Sequence, residues 1–146
     1  MRVRDVMTED VETIPAGESA ENALRRMRSR RIRHLIVTLG TETVGVVSEG
    51  DLDALGTARR FQMVGDVMSS PAITVEPEMT IRQAANLLRG RTIGCLPVME
   101  HGRLVGILTT TDLLELIGRG AERPVAASKR WILKGRGPRR KAVVLG

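Results

Sequence analysis

The sequence contains a tandem duplication. Shifting the 146-residue chain by 61 positions aligns residues 3–55 with residues 64–116 without a gap, and 16 of these 53 pairs are identical. Ordinary residue frequencies would give only about 3 or 4 identities by chance. The most similar stretches are residues 45–52, GVVSEGDL, and residues 106–113, GILTTTDL. A duplication of this length predicts two small units of one fold that bury apolar surface against each other.

Each copy has the pattern of a strand, a helix, a two-stranded hairpin and a closing helix. In the first copy these elements are predicted at residues 11–15, from Ser19 onward, at 34–38 with 43–47, and at 48–55. In the second copy they are predicted at residues 72–75, from Thr80 onward, at 95–99 with 103–108, and at 109–117. The fold class is therefore predicted to be α/β, of the α+β kind. Two β-α-β-β-α repeats are expected to pack through their sheets as a pseudo-twofold pair, followed by a basic C-terminal tail.

The helix boundaries have recognisable sequence signals. Ser19-x-x-Asn22 resembles a capping arrangement, and Thr80-x-x-Gln83 fits the capping box at the start of the second copy's central helix. Gly118 and Gly120 are expected to end the last helix.

A hydroxyl and a carboxylate lie three residues apart where the last strand of each copy is predicted to turn into the closing helix. They are Ser48 with Asp51, and Thr109 with Asp112. At a helix N-cap the hydroxyl and the free backbone N–H groups favour an anion, and the acid can accept hydrogen bonds from ribose hydroxyls. These pairs indicate a nucleotide site. The alternative, on these residues alone, is that they are ordinary capping residues with an acidic first turn.

Composition excludes several classes of protein. Apolar residues make up 42% of the chain, but no apolar run approaches the roughly 18 residues that cross a bilayer. The sequence therefore predicts a cytoplasmic protein with no membrane partner. The single cysteine, Cys95, excludes an internal disulfide and a multi-thiolate metal site, and His34 and His101 lack a metal-ligand spacing. No metal, required cofactor or catalytic residue is predicted.

The net charge of +6 belongs to the C-terminal tail. Residues 1–118 carry 14 Lys and Arg against 16 Asp and Glu, whereas residues 119–146 carry 9 against 1. One aromatic residue lies among the tail's cations, in the set Lys129, Arg130, Trp131, Lys134, Arg136, Arg139, Arg140 and Lys141. Such a segment can bind nucleic acid through phosphate contacts and base stacking. A solubilising or disordered tail is the alternative.

Short motifs that recur in order in both copies resemble the cystathionine-β-synthase (CBS) domain, in the tandem called a Bateman module. They are the DVMT opening, the Thr-Ile and Thr-Val segments, the strands IRHLIV and LPV, and the Gly-x-x-Ser/Thr-x-x-Asp-Leu ending. The resemblance covers about residues 1–118. It divides the chain into a first repeat at 1–60, a second at 61–118 and the tail at 119–146.

The resemblance implies a regulatory module that binds AMP, ADP, ATP or S-adenosylmethionine in clefts between the repeats. It gives phosphate and ribose contacts to the hydroxyl–acid pairs Ser48, Asp51, Thr109 and Asp112. It gives adenine contacts to the segments at Thr13, Ile14, Thr74 and Val75. It gives phosphate contacts to the basic residues Arg33 and His34, at the start of the middle strand, and adds Pro97 on the equivalent strand of the second copy. Gly94 and Cys95 replace the basic pair in the second copy, and Ile36 stands where the family usually has proline, so two unequal sites are expected.

Two classes of function remain open after this reading. A nucleotide-sensing regulatory module is favoured. The alternative is a non-catalytic assembly scaffold whose basic tail binds nucleic acid or a protein partner. The resemblance also implies a homodimer, because CBS pairs commonly associate through their helices.

Overall fold

A computed structural model describes residues 1–91 and 93–121 of the chain. The first repeat contains α1 (Val3–Val6), β1 (Thr13–Pro15), α2 (Ala20–Arg30), β2 (His34–Leu39), β3 (Glu42–Ser48) and α3 (Glu49–Asp53). A 3₁₀ helix, Gly56–Phe61, connects it to the second repeat. That repeat contains α4 (Val64–Val67), α5 (Ile81–Arg91), β4 (Cys95–Glu100), β5 (Arg103–Thr109) and α6 (Thr110–Ala121). The predicted nucleic-acid contacts at 129–141 lie outside the described residues.

Residues 1–109 form one compact unit, and α6 belongs to a separate unit that begins at Thr110. Within the first unit, β1 pairs with β2 in parallel and β2 pairs with β3 antiparallel. In the second repeat, β4 and β5 form an antiparallel pair. Both hairpins have a register shift at matching positions, between Val37 and Thr38 and between Val98 and Met99. The predicted hairpins are therefore confirmed in both copies.

The strand predicted at residues 72–75 is wrong, because only one isolated parallel bridge, Val75 to Val98, forms there. In the first copy the Ile36 N–H donates to the Glu12 carbonyl at 3.2 Å, which extends the pairing toward the N-terminus. Pro97 occupies the position of Ile36 in the second copy. Because proline has no N–H to donate, the equivalent hydrogen bond cannot form and the ladder stops.

The predicted capping sequences begin the central helices. Ser19 Oγ accepts the Asn22 N–H at 3.0 Å, and Thr80 Oγ1 accepts the Gln83 N–H at 3.1 Å. The predicted end of the last helix is wrong, since α6 continues through Gly118 and Gly120 to Ala121. Glycine ends a helix by taking a positive φ, and neither of these two glycines does so.

Buried apolar clusters lie within the first repeat and between the two repeats. The first repeat buries α2 against its sheet through Leu24, Met27, Leu35 and Val47, all at most 2% exposed. A smaller cluster joins the repeats and consists of Ile36 with Cys95 and Ile107. Because Ile36 is on β2 and the other two residues are on β4 and β5, the sheets of the two repeats pack together as predicted.

The repeats exchange their opening segments. The Val3 N–H donates to the Met79 carbonyl at 2.8 Å, and Thr8 pairs with Ile107 on β5. Reciprocally, the Val64 N–H donates to the Glu18 carbonyl at 2.8 Å, and Ser69 pairs with Val46 on β3. Each hairpin therefore gains an extra backbone segment from the other repeat.

Candidate functional site

The exchange builds a cleft of about 220 Å³ from residues of both repeats. The first repeat contributes His34, Val46, Ser48 and Asp51. The second contributes Ser69, Pro71 and Ala72, with Ile73, Ile93, Gly94 and Cys95. The bridge from Ser69 to Val46 carries residues 71–73 across the end of β3, where the strand turns into α3. Neither repeat alone supplies both walls.

Ser48 forms the turn between β3 and α3. Its Oγ accepts the Asp51 N–H at 3.1 Å, which confirms the predicted N-cap. The Glu49 N–H donates to the Arg33 carbonyl at 2.8 Å. Two of the first three N–H groups of α3 are thus satisfied within the protein. The Ser48 hydroxyl can still donate its own hydrogen into the cleft, and the exposed Asp51 carboxylate can accept.

His34 lies beside Ser48 in the sheet, as its direct partner across β2 and β3. A Cβ added at Gly94 would lie 2.8 Å from the His34 Nε2, so the imidazole packs directly over this glycine. Burial lowers the pKa of His34 below its ordinary value of 6.5, and the charge of Arg33 lowers it further, while Asp51 raises it in part. The imidazole is therefore neutral at pH 7.

The opposite side of the cleft is apolar. Ile73 and Ile93 are half-buried, and Cys95 is buried. Burial raises the pKa of the Cys95 thiol to about 12, so it remains protonated and is not a nucleophile. A flat aromatic ring fits such a wall better than a charged group does.

The adenine-contacting segments predicted from the resemblance do not line this cleft. Ile14 and Val75 are core residues, 1% and 3% exposed. Thr13 and Thr74 are exposed but are not among the lining residues, and Pro97 is buried, with its carbonyl accepting the Val75 N–H at 3.0 Å. The residues just upstream, 71–73, form the wall instead. The pairing of Ser69 with β3 explains this placement. Because Ser69 lies beside Val46, the residues that follow Ser69 pass next to Ser48.

The remaining predicted residues lie elsewhere. Arg33 is exposed and is not among the residues that line the cleft. Thr109 is the last residue of β5 and pairs with Cys95, whereas Asp112 lies in the first turn of α6. Thr109 and Asp112 belong to different compact units, so their joint role as a second site stays a prediction.

Two features are absent from the part of the chain that the structure describes. Among residues 1–91 and 93–121 no group of three or more His, Cys, Asp or Glu side chains is arranged to hold a metal ion. Within the same residues no helix has the length and apolarity that a bilayer crossing requires.

Comparison with known proteins identifies the repeats. The family model of the CBS domain matches residues 3–55 and again residues 64–119. A homoserine O-acetyltransferase of Methanohalobium evestigatum is 32% identical over 117 residues, which is 79% of this chain but 24% of the relative. The chain thus spans about a quarter of the length of this curated relative.

Solved structures share the fold. The crystal structure of CBSX2 in complex with AMP has 28% identity and a TM-score of 0.70, covering 80% of this chain and 95% of that one. A CBS domain pair in complex with 5′-methylthioadenosine and S-adenosyl-L-methionine has a TM-score of 0.74 over 81% of this chain and 96% of that one. Its identity is 22%, so this second likeness shows the fold alone.

Proposed function

Because the chain belongs to the CBS-domain family and carries two copies of the domain, we propose that it is a regulatory module that binds an adenosyl ligand. The proposed site is the cleft of His34, Ser48 and Asp51. The observation that carries the proposal is the convergence of a hydroxyl, a carboxylate and an apolar wall in one cleft built from both repeats.

Each part of the cleft suits one part of an adenosyl compound. The Asp51 carboxylate accepts hydrogen bonds from the two ribose hydroxyls, which are neutral donors in a geometry that one carboxylate can satisfy. The Ser48 hydroxyl donates to the oxygen or phosphate at the ribose 5′ position. The adenine ring packs on Ile73 and Ile93, with backbone groups of residues 71–73 available to its edge. The complex of CBSX2 with AMP supports this choice of ligand class.

The same residues support binding without reaction. The cleft contains one carboxylate, a neutral imidazole and a protonated thiol, which do not make a nucleophile with its base. The matched relative is an enzyme, but this chain spans about a quarter of it. We therefore assign the repeats a regulatory role and not the acetyl transfer named for that relative.

The fold offers a route by which ligand binding reaches other elements. Arg59 Nη1 donates to the Leu52 carbonyl at 3.2 Å, at the end of α3, and Arg59 Nε donates to Glu21 Oε1 on α2 at 3.0 Å. The Arg59 side chain is only 18% exposed. A ligand that orders the start of α3 therefore acts on α2 and on the 3₁₀ connection through one arginine.

The proposal is tested by thermal shift and calorimetry with AMP, adenosine and S-adenosylmethionine. Asp51→Ala should lower the affinity by about 10- to 100-fold, because it removes hydrogen bonds to a charged group worth about 1.5–3 kcal/mol. Asp53→Ala is the matched control, since Asp53 lies on the same short helix outside the lining residues. Equal affinity in the two variants, or no binding of any adenosyl compound to the wild-type protein, would refute the site.

Self-association is a second candidate function, favoured by a specific observation. Leu114 and Ile117 on α6 are 68% and 65% exposed. Exposed large apolar side chains one turn apart form a stripe that a second helix can cover. We propose that α6 contributes to a homodimer.

A further inference from the structure

The charge of the cleft differs from what a polyphosphate nucleotide requires. Among the described residues that line it, there is one carboxylate, Asp51, and no lysine or arginine. His34 carries no positive charge at neutral pH. An ATP tail brings three or four negative charges, and sites that bind such tails neutralise them with cations, backbone N–H groups or metal ions.

Most of the backbone N–H groups at the start of α3 are already used within the protein. Of the first three N–H groups of α3, that of Glu49 is bound to the Arg33 carbonyl and that of Asp51 to Ser48 Oγ. The helix has only five residues, and two of them, Glu49 and Asp51, are acidic residues in its first turn. These two carboxylates offset the partial positive charge at the start of the helix.

The two copies differ in charge at the position next to His34 and Cys95. Position 33 in the first copy is arginine, and its counterpart at position 94 in the second copy is glycine. Gly94 lines the cleft, whereas Arg33 does not. The cationic side chain that one copy carries is therefore absent at the matching point of this cleft, and the neutral ring of His34 occupies the space over the glycine.

The volume of the cleft also favours a ligand without a polyphosphate tail. Drug-sized ligands occupy pockets of roughly 300–1,000 Å³, and this cleft has about 220 Å³. A cleft of this size suits a nucleoside better than a nucleotide with a polyphosphate tail.

We propose that this cleft selects adenosyl compounds whose 5′ substituent is neutral or positively charged, such as a nucleoside, a thioether or a sulfonium, and discriminates against ADP and ATP. This inference rests on the proposed function, because it assumes that the cleft holds an adenosyl group. It follows from the lining residues Asp51, His34 and Gly94, and it concerns the charge of the ligand.

The test is a calorimetric panel on the full chain at pH 7.5 with adenosine, 5′-methylthioadenosine, S-adenosylmethionine, AMP and ATP, without divalent cations. ATP should bind about tenfold or more weakly than 5′-methylthioadenosine. The negative charges of the triphosphate would lie near the Asp51 carboxylate in a partly desolvated site, and each such repulsion lowers the affinity several-fold. Binding of ATP as tight as that of the thioether overturns the selectivity and leaves the proposed function standing. Failure of every compound to bind refutes the proposed function itself.

A substitution at Gly94 tests whether the charge of the cleft causes the selectivity against ATP. Gly94→Arg places in the cleft the cation that the first copy carries, and it should raise ATP affinity by about tenfold relative to the thioether. Gly94→Gln is the matched control, since it brings the same Cβ contact with His34 and a long polar side chain without adding charge. An equal gain in ATP affinity in both variants contradicts the charge explanation.

Salt dependence gives a measurement that needs no variant. If ATP is repelled, raising NaCl from 50 to 500 mM should strengthen its weak binding, because salt screens the repulsion, and should leave adenosine unchanged. Loss of ATP affinity with salt would reveal an attractive cationic contact and overturn the proposal.

Discussion

His34 is a histidine kept neutral by its surroundings. Its imidazole packs over Gly94, and His34 is the direct partner of Ser48 across β2 and β3. Arg33 and Asp51 are the charges that act on it. Burial dominates, so the protonated form is disfavoured in the folded state. Protonation of His34 at low pH therefore acts on a side chain that forms part of the cleft wall.

The folded protein should lose stability through His34 as the pH falls below 6.5. The unfolded chain binds a proton at a pKa of 6.5, and the folded chain binds it only at lower pH. Between these values the unfolded state holds more protons, so the free energy of unfolding falls by up to about 1.4 kcal/mol per pH unit. Urea unfolding at pH 7.5 and 5.5 measures this loss.

His34→Gln should show a smaller loss of stability between those two pH values than the wild-type protein. His101→Asn removes the other histidine, at an exposed turn with a φ of 53° that asparagine tolerates, and serves as the control. Identical pH profiles for the wild-type protein and His34→Gln would rule out this role.

Single residues also show where sequence reasoning reached the site. Ser48 was predicted as an N-cap from spacing alone, because the capping hydrogen bond is local. The Ile73 and Ile93 wall was missed, because those residues reach Ser48 only after a separate repeat has folded against β3. A capping hydrogen bond joins residues close in sequence, so a short motif predicts it. Contacts between residues 25 or more positions apart depend on tertiary packing, which a short motif does not predict.

At the scale of elements, two glycines mark the docking of the exchanged segments. A Cβ at Gly45 would lie 2.6 Å from Met68 Sδ and 2.7 Å from the Ser69 carbonyl oxygen. A Cβ at Gly106 would lie 2.7 Å from Met7 Sδ and 3.1 Å from the Thr8 carbonyl oxygen. The duplicated methionine of each opening segment thus fits against the duplicated glycine of the other repeat's last strand.

Gly45→Ala should destabilise the protein by about 1–3 kcal/mol, as overpacking against a fixed backbone atom does. Gly17→Ala is the control, because a Cβ there meets nothing within 4 Å and its φ is not positive. Chemical denaturation of both variants measures the difference. Equal stability of the two would mean that the opening segment moves away from β3 without cost.

The elements themselves were largely predictable from sequence. Periodicity and caps located the helices after Ser19 and Thr80, and alternation with turn residues located both hairpins. The absence of a strand at 72–75 and the end of α6 were not predictable from repeat symmetry. Pro97 lacks the N–H that Ile36 donates to Glu12, and Gly118 and Gly120 do not take the positive φ that ends a helix. A duplication predicts equal elements only while the chemistry of equivalent residues remains equal.

At the scale of the whole molecule, the exposed stripe on α6 should drive self-association. Light scattering at tens of micromolar should give the mass of a dimer for the wild-type chain. Leu114→Glu combined with Ile117→Glu should shift the protein toward monomer, because two charges would replace the apolar contact. Leu39→Glu is the control for adding charge to an exposed apolar position. Leu39 is 64% exposed, and it ends β2 and is not part of α6. A monomeric wild-type protein would contradict the expectation.

The basic tail is the part of the chain expected to bind a polyanion. Replacing Lys129, Arg130, Arg139 and Arg140 by glutamine should abolish binding of single-stranded RNA or DNA in gel shifts and leave adenosyl binding intact. Trp131→Ala should weaken single-strand binding by about 1–3 kcal/mol if the indole stacks on a base. No shift of either nucleic acid at low salt would favour a solubilising tail.

The exchanged opening segments set a condition on the origin of this chain. A single copy of the repeat would have to obtain the same contacts from a second molecule, as in a dimer that swaps arms. Joining the copies through residues 56–63 makes that partner permanent, at an effective concentration of the order of millimolar for a short linker. In a dimer of identical chains every substitution appears in both clefts at once. In the fused chain one copy carries Arg33 while the other carries Gly94. The two halves of one chain can therefore diverge in the ligands that they bind.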